Sequence, residues 1–229
     1  MNGKIVNQSV TFIVSTFATL MALGFAFTTR EAARGWIADR FGDHTARAEG
    51  RLTLNPLVHI DLLGTLLLPC ILLLTQSPLI LGWAKPFHIN TKNLRPYKKG
   101  NIILSLTGPL IHVVIAWVSV LLIHFNPNAD TLGNEILIKS FQINIILAVF
   151  NMLPFPPLDG GRLIAVLLPS KLADHFLKIE PYTPLIILLL VLLPGALQTI
   201  GVHFQPLFMI MYPLINLLQK TVLYLSGHL

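Results

Sequence analysis

The chain has 229 residues, 54% hydrophobic and only 11% charged, with a formal net charge of +6. Soluble domains are roughly a quarter charged, so this composition excludes a water-facing shell and implies one membrane-embedded domain over residues 1–229. The basic balance is explained by Lys and Arg in short loops that orient a membrane protein, and no nucleic-acid partner is expected.

Residues 10–29 carry no charge. At about 1.5 Å per residue, such a run crosses a hydrocarbon core of roughly 30 Å. It is too long for the apolar part of a secretory leader and has no small-residue cleavage site after it, so it reads as a first span. Its end carries Arg30, Glu31 and Arg34, followed by Gly35-Trp36. Residues 40–60 are too polar for a span and read as extended or irregular, a small extended or β region after the first helix, and residues 87–97 read as extended or irregular. Apolar runs at 62–84, 102–125, 136–155, 184–204 and 206–225 bring the expected total to about five or six transmembrane helices. Pro194, Pro206 and Pro213 interrupt the last two, and the lone Cys70 reads as a small buried residue. The densest basic loop, with Lys85, Lys92, Arg95, Lys98 and Lys99, is placed on the cytoplasmic side. A rival basic loop carries Arg40, Arg47 and Arg51, offset by Asp39, Asp43 and Glu49.

Charged residues at membrane depth cost about 3 kcal/mol each, so they pair with one another or face a cavity. Each of Arg30, Glu31, Arg34 and Asp159, taken alone, reads as an interfacial residue, with Arg snorkelling to headgroups. Three charges in five residues, matched by a distant acid in a segment broken by Pro154, Pro156, Pro157, Gly160 and Gly161, point instead to a cluster.

These segments together resemble a known family. Arg30-Glu31-Ala32-Ala33-Arg34 stands where the site-2 protease family of intramembrane zinc metalloproteases has His-Glu-x-x-His. Asn151-Met152-Leu153-Pro154-Phe155-Pro156-Pro157-Leu158-Asp159-Gly160-Gly161-Arg162 resembles the family's second motif, which ends in Leu-Asp-Gly. Between them, Asn55-Pro56-Leu57-Val58-His59-Ile60-Asp61, Gly82-Trp83-Ala84-Lys85-Pro86 and Gly108-Pro109 resemble connecting pieces of its compact prokaryotic members. The likeness covers residues 20–165.

The resemblance implies an all-α polytopic membrane fold, with a protease-like core at residues 7–165 and C-terminal hydrophobic helices at 182–226. In the family, two His at i and i+4 and a distant Asp hold zinc, and the Glu is general base on the metal-bound water. By position Glu31 is that base, Asp159 the third ligand, and Arg30 and Arg34 occupy the His positions. Arginine stays protonated and offers a metal no lone pair. At roughly 5 Å and an effective dielectric near 20, each guanidinium repels a dication by about 6–7 kcal/mol. The expectation is therefore an ion-pair cluster of Arg30, Glu31, Arg34 and Asp159, without zinc.

His112 stands where the family often has an Asn that helps hold substrate, and it is also the best rescue ligand for a metal; its plainer reading is a hydrogen bond between helices. Asn144 and Asn151 read as interhelical hydrogen bonders, and by resemblance as substrate-groove residues. His59 is expected to make a structural hydrogen bond. Three functions stay open: a non-catalytic relative that binds or regulates membrane proteins through their transmembrane helices, an active zinc protease with a rearranged site, and a transporter or proton relay. The expected location is a prokaryotic plasma membrane.

Overall fold

The computed structural model describes residues 2–74, 82–85, 89–125, 131–198, 201 and 204–227. Helix α1, Asn2–Arg40, continues unbroken from the first apolar run through the charged Arg30–Arg34 stretch. Ala22, Leu23, Ala26 and Phe27 recur at helical spacing and pack against Ile143 and Leu147. The small Ala22 and Ala26 let the two backbones approach, which drives helix association where lipid removes the ordinary hydrophobic force. The opposite face carries Ile13, Phe17, Met21 and Phe25, one per turn and each at least half exposed, as a lipid-facing stripe requires.

After α1 come the single-turn helices α2, Thr45–Ala48, and α3, Pro56–His59. A π-helical turn, Leu62–Leu67, leads into α4, Leu68–Leu74. The expected span at 62–84 is described only in part, because residues 75–81 lie outside the described residues. The long helices α5, Tyr97–Phe125, and α6, Thr131–Asn151, follow. Two short helices, α7 at Asp159–Leu167 and α8 at Ser170–Leu177, precede α9, Thr183–Gln198, and α10, Pro206–Leu225. Pro206 opens α10 in the first turn, where its missing N–H costs nothing, whereas Pro194 and Pro213 sit inside helices. Among the described residues, five segments are long and apolar enough to cross a bilayer: Ile13–Arg40, Tyr97–Phe125, Leu132–Asn151, Ser170–Pro194 and Pro206–Leu225. The protein is a multi-pass integral membrane protein.

The main core lies between α5, α6 and α10, where Ala116, Val120, Ile145, Val149, Met211 and Ile215 are buried together. Together with the α1–α6 contact, it makes α6 the central helix.

No strand forms among the described residues, so the polar stretch after α1 is irregular rather than β. Its backbone groups are satisfied locally: Arg51 N donates to Ala46 O at 2.8 Å, and Gly50 takes a positive φ of 67°. The links it makes to the later segment, Lys85 N to His59 O at 2.8 Å and Trp83 N to Gly64 O at 3.1 Å, lie too far apart to build a ladder. Helix ends matter here because the two basic loops meet. Arg95 N donates to Phe41 O at 2.7 Å, and Asn90 N donates to the Asp43 carboxylate at 2.8 Å. The two loops that competed for orientation in the sequence lie at the same end of the bundle, and their charges act together.

Candidate functional site

Arg30, Glu31 and Arg34 lie on the last third of α1, with Arg30 and Arg34 one turn apart on one face. Asp159 reaches them from the first turn of α7, after the chain leaves α6 at Asn151 and turns through Pro154–Pro157. Gly160 and Gly161 make this turn possible. A Cβ on Gly160 would run into the Met152 and Leu153 carbonyls, and one on Gly161 into the Phe155–Pro156 backbone. Only glycine lets α7 begin pressed against the end of α6, and that contact aims the Asp159 side chain inward.

The four charges form one cluster. Arg30 Nη2 donates to Asp159 Oδ2 at 2.7 Å and to Asn151 Oδ1 at 3.0 Å, and Arg30 Nη1 pairs with Glu31 Oε1. Arg34 Nη1 faces Glu31 Oε2 and Arg34 Nη2 faces Asp159 Oδ1, both at 3.5 Å. Those lengths exceed normal charged hydrogen bonds, so Arg34 contributes mainly charge while Arg30 fixes geometry. Asp159 is fully buried, and Glu31 and Arg34 are nearly so. Two acids and two guanidiniums balance, the condition under which buried charge is tolerated.

Asn151 is held by its own amide, which donates to Leu147 O at 2.8 Å and leaves its oxygen for Arg30. On α5, Gly108 provides the space for the cluster: a Cβ there would stand 2.5 Å from Asp159 Oδ2 and 2.9 Å from Arg30 Nε. His112 follows one turn later. Its Nδ1 bonds Asn144 Oδ1 at 2.8 Å, and the Asn144 amide donates to Ser140 O at 2.8 Å. Ser119 extends the chain to Ser140 at 2.9 Å, so α5 and α6 are joined by a buried polar ladder. Because Asn144 Oδ1 is the acceptor, the His112 proton sits on Nδ1 and leaves a buried lone pair on Nε2, which has no partner. His59 Nε2 bonds Thr53 O at 2.9 Å, the structural bond anticipated for it.

The structure thus brings Arg30, Glu31, Arg34, Asp159 and Asn151 into contact, and ties His112 and Asn144 together between helices. All of these except Arg30 fall in the buried class, and Arg30 has a side-chain exposure of 14%. The role of Gly108 escaped sequence reasoning. Its Gly-Pro dipeptide was visible, but the atoms that need its missing side chain come from α1 and α7.

A family model for peptidase family M50 matches residues 128–192. "Putative zinc metalloprotease YwhC" of Bacillus subtilis (strain 168) is 32% identical over 186 residues, 76% of this chain and 80% of that protein. The chain belongs to peptidase family M50, the site-2 proteases. "Putative zinc metalloprotease Rip2" of Mycolicibacterium smegmatis is 30% identical over 154 residues, covering 65% of this chain and 55% of that protein. "Putative zinc metalloprotease MJ0611" of Methanocaldococcus jannaschii is 41% identical over 78 residues, 34% of this chain and 39% of that protein. No solved structure matches the chain.

Zinc is the metal those M50 names carry. The residues gathered here do not fit it. Both carboxylates are engaged by guanidiniums that would repel a dication, and among the described residues no three His, Cys, Asp or Glu come together as a ligand set.

Proposed function

We propose that this chain is a metal-free member of the M50 family that binds or regulates other membrane proteins through their transmembrane helices, without cleaving them. One observation carries the reading: Arg30 and Arg34, at the positions of the family's paired His, take both carboxylates of the site into ion pairs. Two guanidiniums supply the two positive charges of a zinc ion and hold α1 to α7 in its place. The catalytic base position, Glu31, is then a structural anion, and so is the third-ligand position, Asp159. The groove positions His112, Asn144 and Asn151 are buried, so a partner helix that reached them would part α1, α5 and α6 first. The proposed location is a prokaryotic plasma membrane, with the basic end of the bundle in the cytoplasm.

A second reading, a zinc protease with a rearranged site, is favoured by the unpartnered Nε2 of His112 and by the names of the M50 relatives. Metal analysis of the purified protein in detergent, with Asp159→Ala alongside, separates the two. The metal-free reading expects no stoichiometric zinc in either. About one zinc per chain, lost in the variant, would overturn it and make proteolysis the next assay.

A further inference from the structure

Arg34 has a second face. Beyond the cluster, it and Arg162 line a cavity of about 470 Å³ bounded by the end of α1, the segment around Thr91, the first turns of α5, and helices α7 and α8. Arg34 is 8% exposed and its Nε has no partner among the described residues. Arg162 pairs with Glu180, 3.7 Å away, with side chains 32% and 41% exposed. Burial, and then the Arg34 guanidinium, push Arg162 below the usual arginine value, against the opposing pull of Glu180 and Asp159. Asp174, the other acid on the lining, is exposed.

The remaining lining has two characters. Hydroxyls come from Thr91, Tyr97, Ser105 and Ser170, while Leu104, Val166, Leu168 and Leu177 make an apolar wall. The cavity lies beside the segment around Thr91 and the first turns of α5, at the basic end of the bundle.

We propose that this cavity binds a phosphate-bearing anion between the Arg34 and Arg162 guanidiniums. Guanidinium forks match phosphate oxygens, and hydroxyl donors complete a tetrahedral set. The apolar wall suits the glycerol and first methylenes of a phospholipid. The ligand class is therefore a phospholipid headgroup or a free phosphate, with shared chemistry at the two Arg. The site stands apart from the partner-binding reading, because it needs only the cavity and its charges.

The test uses the full chain in detergent, with thermal unfolding measured against added phosphatidylglycerol, phosphatidylcholine and inorganic phosphate, in wild type, Arg162→Gln and Arg162→Lys. Stabilisation by phosphatidylglycerol beyond phosphatidylcholine, with about tenfold weaker binding in Arg162→Gln and partial retention in Arg162→Lys, supports the site with lipid as source. The same pattern from inorganic phosphate alone supports the site with a free anion as source. Equal responses of wild type and Arg162→Gln to every additive, or no response from either, overturn the proposal. A wild type that responds while an unfolded Arg162→Gln cannot be read is resolved by Arg162→Lys, whose affinity must fall if the fork geometry is used and whose unchanged affinity refutes it.

Discussion

Asp159→Ala removes the carboxylate that accepts from Arg30 Nη2 at 2.7 Å and faces Arg34 Nη2 at 3.5 Å. Two guanidiniums are then left with Glu31 alone, at a depth solvent barely reaches. With charge centres roughly 4 Å apart and an effective dielectric near 20, one such attraction is about 4 kcal/mol. Removing one partner of a buried pair destabilises by about 3–5 kcal/mol, most of it the penalty of the orphaned cation. For a chain of this length that corresponds to a fall in melting temperature of roughly 6–20 °C. Unfolding in detergent is followed by the fluorescence of Trp36, Trp83 and Trp117. A cycle with Arg34→Met isolates the interaction: the double variant should recover about 1–3 kcal/mol relative to the sum of the singles. If Asp159→Ala melts within about 1 °C of the wild type, or the cycle is additive, the cluster does not hold α1 to α7 and the reasoning fails.

Three further outcomes are expected. The double variant Arg30→His, Arg34→His writes a His-Glu-x-x-His sequence beside Asp159, and metal analysis should find about one zinc per chain in it and none in the parent; a variant free of zinc would show that the two Arg are not what keeps the metal out. Gly161→Ala drives a methyl into the Phe155–Pro156 backbone, so unfolding should show a loss of about 1–3 kcal/mol or more, and wild-type stability would mean that α7 can shift freely. In a Cys70→Ser background, a cysteine at Leu132 should react with an impermeant maleimide from outside sealed cells and one at Lys92 only after the membrane is opened; the reverse pattern would invert the proposed orientation.

Much of the site was legible because its chemistry is local. Arg30, Glu31 and Arg34 share one helix, and charge in an apolar run is conspicuous wherever it falls. The Pro and Gly residues around Asp159 announced a broken segment, and the count of two acids against two Arg anticipated the pairing. The polar stretch after α1 forms no strand among the described residues, and Gly and polar residues mark irregular chain without saying whether it pairs with a neighbour or turns on itself. The competition between the two basic loops was likewise undecidable from order alone.

The sequence by itself determined that the chain spans a bilayer several times, since the length of an apolar run is set by membrane thickness and needs no partner. It also showed that Arg30, Glu31 and Arg34 close an apolar run, where charge calls for a partner. Only the tertiary structure decided that Gly108 is needed as empty space, that His112 and Asn144 satisfy one another, that both basic loops share one end, and that Arg34 and Arg162 face a common cavity. Each of these depends on atoms from helices far apart in sequence, whose approach is fixed by packing rather than by any local preference.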